Sequence, residues 1–230
     1  MHKQKQTDIS VEKEISSFLD ENLYSDRRFV KNYKRYNDVE NQILGKDVKA
    51  TFKKGLNQSY NLVNCLIDEK CQTHYINANL PQNGFELSFL DQNNQMQKGW
   101  LLDESLKTTH YLIIWPFSRN EDREWSKEDL AYFDKSNIGK LDCLLLKKSD
   151  ILDFLANWGF NKEDLIQKNK YIRNSAENKN PIYTNYSFIR FYYSYYFPEK
   201  PITVSIRKEQ LKRISIARFL VKKDKLQVLD

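Results

Sequence analysis

Asp47, then Asp68 and Lys70 on either side of Glu69, have the types and spacing for phosphoester chemistry. Two carboxylates can hold a hard divalent cation such as Mg²⁺, which takes oxygen ligands and keeps water in its remaining positions. Such an ion polarises a phosphoryl oxygen and lowers the pKa of a bound water. A lysine beside it can orient that water and offset charge developing on the scissile phosphate. A phosphodiester is the matching target.

These side chains need two neighbouring strands to meet. From Asp47 to Lys53, Val48, Ala50 and Phe52 alternate with polar residues, the pattern of a strand with one buried face. Tyr60 to Cys71 is an apolar, β-rich run that reads as a central strand, and Gly55 to Ser59 is the turn between the two. Period-two alternation puts Asp68 and Lys70 on one face and Glu69 on the other. Upstream, Asp38 is placed to cap a short helical turn that Gly45 ends. Ile9 to Tyr24 carries Val11, Ile15, Phe18, Leu19 and Leu23 at near-helical spacing, an amphipathic helix.

The series Gln42-Ile43-Leu44-Gly45-Lys46-Asp47-Val48, followed by Ile67-Asp68-Glu69-Lys70, resembles the core of the PD-(D/E)XK nuclease superfamily over residues 38–115. The resemblance implies a restriction endonuclease-like α/β fold, a central mixed β-sheet flanked by helices. It also implies Asp47 and Asp68 as side-chain metal ligands, the Glu69 backbone carbonyl as a further ligand, and Lys70 as the residue assisting the water. Acids on a preceding helix often join such sites, which adds Glu40. Lys46 stands where the motif's proline would be. The implied cofactor is Mg²⁺, with Mn²⁺ as substitute, and the implied activity is endonucleolytic cleavage of DNA. A homodimer would suit a duplex with two strands to cut. The alternative is a module of the same fold that binds nucleic acid or a protein partner without cleaving.

Further strands are expected at Phe85–Leu90 and Gly99–Leu102, joined by the polar loop Asp91–Gln97, and at Tyr111–Trp115 and Leu141–Leu146. Ser149 and Asn161 are expected to cap helices, Lys208–Ile214 reads as a short basic helix and Phe219–Leu229 as a closing strand. Glu86 is either a further site acid or an outward-facing edge residue. Gln42 either bonds near the site or belongs to a helix face. Lys107, Thr108 and Thr109 either touch phosphate or form a plain loop. The aromatic run Tyr183–Phe197, which holds Arg190, either stacks on unpaired bases or builds sheet core.

A chain of 230 residues with 40% hydrophobic residues can form a substantial core, and six glycines and five prolines leave little for linkers. The expectation is one domain over residues 1–230, with a C-terminal aromatic and basic extension of the sheet over residues 175–230. The net charge of +6, from 37 basic against 31 acidic residues, is compatible with a polyanionic partner. Cys65, Cys71 and Cys143 lack CxxC spacing, and His2, His74 and His110 are scattered, which argues against a disulfide scaffold and a zinc site. No apolar run is long enough to span a bilayer, so the expectation is a cytoplasmic protein without membrane contact.

Overall fold

A computed structural model of the chain describes residues 3–54, 62–175 and 181–229, with side chains from Ser10 onward. The expected turn Gly55–Ser59 lies outside them. In chain order the elements begin with α1 (Lys3–Leu19), β1 (Val30–Arg35), α2 (Val39–Ile43), β2 (Val48–Phe52) and β3 (Cys65–Cys71). Then come β4 (Gln82–Leu90), β5 (Met96–Lys98), β6 (His110–Ser118), β7 (Ile138–Lys147), α3 (Lys148–Asn157) and α4 (Lys162–Asn174). The last are β8 (Ile182–Tyr183), β9 (Ile189–Tyr193), β10 (Ile202–Arg207), α5 (Lys208–Ile214), β11 (Ala217–Lys222) and β12 (Lys225–Leu229). The protein is mixed α and β.

The chain gathers into two compact units, where the sequence pattern reads as one domain. The first holds Met1–Leu80, Thr108–Lys147 and Ser215–Asp230, and the second holds Pro81–Lys107 and Lys148–Ile214. The region 38–115 is therefore shared between them, and the aromatic and basic C-terminal stretch divides at Ser215.

The first unit is built on a seven-stranded mixed sheet in the order β1-β2-β3-β6-β7-β11-β12. Only β3 and β6 run parallel, and every other neighbouring pair is antiparallel. Every residue of β6 is buried, as a strand covered on both faces must be. On α1, Val11, Ile15, Phe18 and Leu19 form one apolar stripe. A π-helical turn, Asp20–Tyr24, extends it and keeps Leu23 and Tyr24 in the core. That stripe joins Val48, Ala50, Ile67, Leu112, Ile114, Cys143 and Phe219 in one cluster. All three cysteines are free.

The second unit is a five-stranded antiparallel sheet, β5-β4-β10-β9-β8, with α3, α4 and α5. Asn161 caps α4 through a capping box with Asp164, as its position before the helix predicts.

Several boundaries differ from the sequence reading. Within the run Tyr60–Cys71, whose described residues begin at Leu62, the strand is Cys65–Cys71, entered through Asn64 at φ +55°. Gly99–Leu102 is a turn, and the strand that pairs with β4 is Met96–Lys98, inside the expected loop. The cause is crowding: a Cβ on Gly99 would sit 2.5 Å from the Glu86 backbone, and the chain turns there to bury Leu101 and Leu102. Ser149 lies inside α3 and bonds Asp150, so it is not the cap. Phe219–Leu229 is a hairpin, not a single strand, reversing at Asp224 with φ +57°.

Candidate functional site

The sequence around α2 fixes where β2 begins. The Asp38 carboxylate accepts from the Asn41 backbone N–H at 2.9 Å and starts the helix. Gly45 ends it with φ +67°, a conformation that costs other residues more. Thr108, which is buried, donates through Oγ1 to the Gly45 carbonyl at 2.6 Å and ties this turn to the start of β6. Asp47 follows, its N–H bonded to the Ile67 carbonyl at 3.0 Å and its carbonyl accepting from Tyr36 N–H at 2.8 Å. Its backbone is thus pinned between β1 and β3.

The side chain of Asp47 turns to β3. Its Oδ2 accepts the Glu69 backbone N–H at 2.8 Å and its carboxyl group meets that of Asp68. The Lys70 amine lies 2.8 Å from Asp68 Oδ1, with the Asp68 side chain only 6% exposed and that of Lys70 33% exposed. Glu69 points the other way, as alternation requires. Its carboxylate receives Arg35 at 2.9 and 3.0 Å and Ser16 Oγ at 2.9 Å. Arg35 also reaches Asp20 at 2.7 Å.

The electrostatics follow from burial and like charge. Burial first, and then the negative charges of Asp68 and Glu69, push Asp47 up to about 7, against smaller opposing effects of the Glu69 N–H and Lys70. Burial likewise raises Asp68, although its bonds to Lys70 and Asp47 oppose this. For Lys70, burial disfavours the charged form, but Asp68 outweighs it and the amine titrates above its ordinary value. The site therefore carries a carboxyl that changes charge near neutral pH, a lysine held cationic, and two acids in contact.

The structure brings together Asp47, Asp68 and Lys70, with the Glu69 N–H as an additional contact. Glu40 and Gln42 stand exposed on α2. Glu86, Lys107 and Arg190 belong to the second unit. Among the described residues, no group of three or more His, Cys, Asp or Glu side chains gathers in a way that could hold a metal. Sequence reasoning missed two positioning contacts, Thr108 with Gly45 and Arg35 with Glu69. Arg35 lies in a basic stretch, Arg27–Tyr36, and Thr108 reads from the sequence only as a phosphate contact or a loop residue, so neither pairing was marked.

Tyr36, beside the Asp47 backbone, is flanked by two cations: Lys34 Nζ is 5.2 Å and Lys46 Nζ 5.4 Å from its ring centroid. No family model, no curated protein and no solved structure matches this chain.

Proposed function

We propose that the first unit is a Mg²⁺-dependent endonuclease that hydrolyses DNA phosphodiester bonds, arranged as in the restriction endonuclease-like fold. The observation that carries this reading is the meeting of the Asp47 and Asp68 carboxyl groups with the Lys70 amine against Asp68. The donor set fits a hard divalent cation: both acids are oxygen ligands, and Asp47 is raised to about 7 partly by negative charge that a cation would offset. Asp47 and Asp68 would hold the ion, with the Glu69 carbonyl as a third donor, and water and phosphate would fill the rest. Bound there, Mg²⁺ supplies phosphoryl polarisation and acidifies a water.

The chain's own residues do the remainder. The Glu69 N–H holds Asp47 toward Asp68 in spite of their like charge. Lys70 supplies positive charge next to the reacting phosphate and a donor that orients water. Lys34 and Lys46, stacked on Tyr36, add charge for the flanking backbone.

A second reading, a nuclease-fold module that binds without cutting, is favoured by one observation: the described residues supply two clustered acids rather than three. A cleavage assay separates the readings. Supercoiled, linear, single-stranded and branched DNA are incubated with Mg²⁺ or Mn²⁺ and wild type, Asp68→Asn or Lys70→Ala protein. Cutting by wild type and its loss in both variants is expected; binding without cutting supports the second reading, and cutting unchanged in both variants rejects this site.

A further inference from the structure

The second unit carries a polar sheet face. Register places Gly84, Ser205, Arg190 and Tyr183 side by side across β4, β10, β9 and β8. Thr203 and Tyr192 form the next rank on one side, and Gln82 and Arg207 the rank on the other. Alternation puts all of these on the face opposite Phe85, Val204, Ile206 and Phe191, which are buried. Gly84, Tyr183 and Arg207 are exposed, while Arg190, Tyr192 and Thr203 are half-buried.

Tyr192 does not stand off this face. Its hydroxyl receives Gln82 Nε2 at 2.8 Å, a partner two ranks away on the far side of β10, so the ring runs along the sheet. Between β9 and β4 it crosses the positions of that rank held by small residues, Ser205 and Gly84. A Cβ on Gly84 would meet the Thr203 side chain, nearest at Oγ1 at 3.5 Å, an ordinary contact, so neighbouring backbone does not require glycine there. Strand glycines of this kind mark a close approach to the sheet surface.

Two polar atoms in the same rank are left over. Ser205, only 3% exposed, has a buried Oγ with no hydrogen-bond partner among the described residues. Arg190 Nε is also buried without one. The Arg190 guanidinium lies 5.2 Å from the ring centroid of Tyr183, which is 67% exposed. A ring laid along a sheet and an arginine stacked on a second, exposed ring form a surface for planar, anion-linked groups, with the Ser205 Oγ and Arg190 Nε buried beneath it.

We propose that this face of the second unit is a stacking platform for the unpaired nucleotides of a single-stranded nucleic acid. Bases stack on Tyr192 and on the Tyr183–Arg190 pair, and Arg190 and Arg207 meet the phosphates. Glu86 stands opposite Thr203 on this face, and its carboxylate repels phosphate from that end of the platform. Bases inside a duplex are already stacked on each other and cannot use such a platform, which sets the preference for single strands. The proposal is independent of the Asp47–Asp68 pair, and its test needs no divalent ion.

Full-chain protein in EDTA is titrated into fluorescently labelled oligothymidylate, oligouridylate and a duplex, and anisotropy is read; the first two distinguish DNA from RNA. Single strands should bind more tightly than duplex. Tyr183→Ala and Tyr192→Ala should each weaken single-strand binding by about fivefold or more. Arg190→Gln should flatten the salt dependence by about 0.7 in log–log slope. Tyr183 is mostly exposed, so its variant keeps the fold. For Tyr192, wild-type protein is also photo-crosslinked to iodouridine-containing strands, and adducts on Tyr183 or Tyr192 are expected. Absent single-strand binding, equal affinity for duplex, unchanged affinity in both tyrosine variants, or adducts confined to other regions would each overturn the proposal.

Discussion

The Glu69 backbone N–H donates to Asp47 Oδ2 at 2.8 Å, so the strand that carries Asp68 also steers the carboxylate that faces it. A backbone donor cannot rotate away, and β3 is fixed by ladders on both sides. Two acids that repel are thereby held together by the sheet. Burial first, and then the neighbouring negative charges, leave an Asp47 carboxyl that keeps its proton to about pH 7.

That shift makes stability depend on pH. The folded value of Asp47 is about 7 against 3.8 for the ordinary group, so between these limits the unfolded chain binds fewer protons than the folded one. Stability therefore falls as pH rises through this window and levels off above it. Asp68, raised in the same direction, adds to the slope. Asp47→Asn should be more stable than wild type, by an amount that grows on the order of 1–3 kcal/mol from about pH 4.5 to about pH 7.5. Urea denaturation at the two pH values measures it; parallel pH profiles for the two proteins would contradict the shift.

A divalent cation should reverse this cost. On the proposed reading Mg²⁺ binds the ionised pair, so at about ten times its dissociation constant it should stabilise wild type by about 1.4 kcal/mol. For a chain of this size that is roughly a 3–5 °C rise in Tm. Protons compete below the Asp47 value of about 7, so the rise should shrink toward pH 5. Asp68→Asn should remove it. Differential scanning fluorimetry checks both points, and an equal rise in that variant would place the ion elsewhere.

The strand that follows Asp47 and the strand carrying Asp68 and Lys70 were legible because alternation and capping are local signals. Asp38, Gly45 and Asn161 each act within a few residues of themselves, and the structure places each as its chemistry requires. Alternation likewise assigns Glu69 to the face away from Lys70. What was not legible depends on partners distant in sequence. Met96–Lys98 is exposed and has no apolar pattern, and it becomes a strand only because β4 offers it an edge. Trp100-Leu101-Leu102 has strand composition but buries Leu101 and Leu102 from a turn. The division of the strands into two sheets is a matter of pairing, which local periodicity does not encode.

Thr108 and Gly45 should control activity by placing Asp47. Thr108→Val removes the 2.6 Å bond to the Gly45 carbonyl, and Gly45→Ala strains a residue at φ +67°. Each change should cost about 1–2 kcal/mol of stability. If Asp47 holds the metal as proposed, a small displacement of its carboxylate is expensive for catalysis, so cleavage should fall by roughly tenfold or more in each variant. The Mg²⁺ concentration for half-maximal rate should rise at the same time, a change that destabilisation alone does not produce. Mg²⁺ titrations of the cleavage rate on properly folded variants test it, and unchanged half-maximal concentrations would remove these residues from the site's support.

Arg35 and Glu69 should behave as a structural pair whose loss is costly only when one partner is left. The Glu69 side chain is 6% exposed and the Arg35 side chain 14%, and Asp20 shares the arginine. Arg35→Met strands a buried carboxylate and should cost about 3–5 kcal/mol. Adding Glu69→Leu removes that stranded charge, and the double variant should recover most of the loss, because a well-packed apolar pair can replace a buried ion pair at little net cost. Denaturant unfolding of the two single variants and the double variant gives the comparison. Glu69 holds Asp47 through its backbone N–H, which leucine keeps, so the double variant should still cleave within a few-fold of wild type. A double variant as unstable as Arg35→Met would show that the arginine's bond to Asp20, and not its pair with Glu69, holds this side of the sheet.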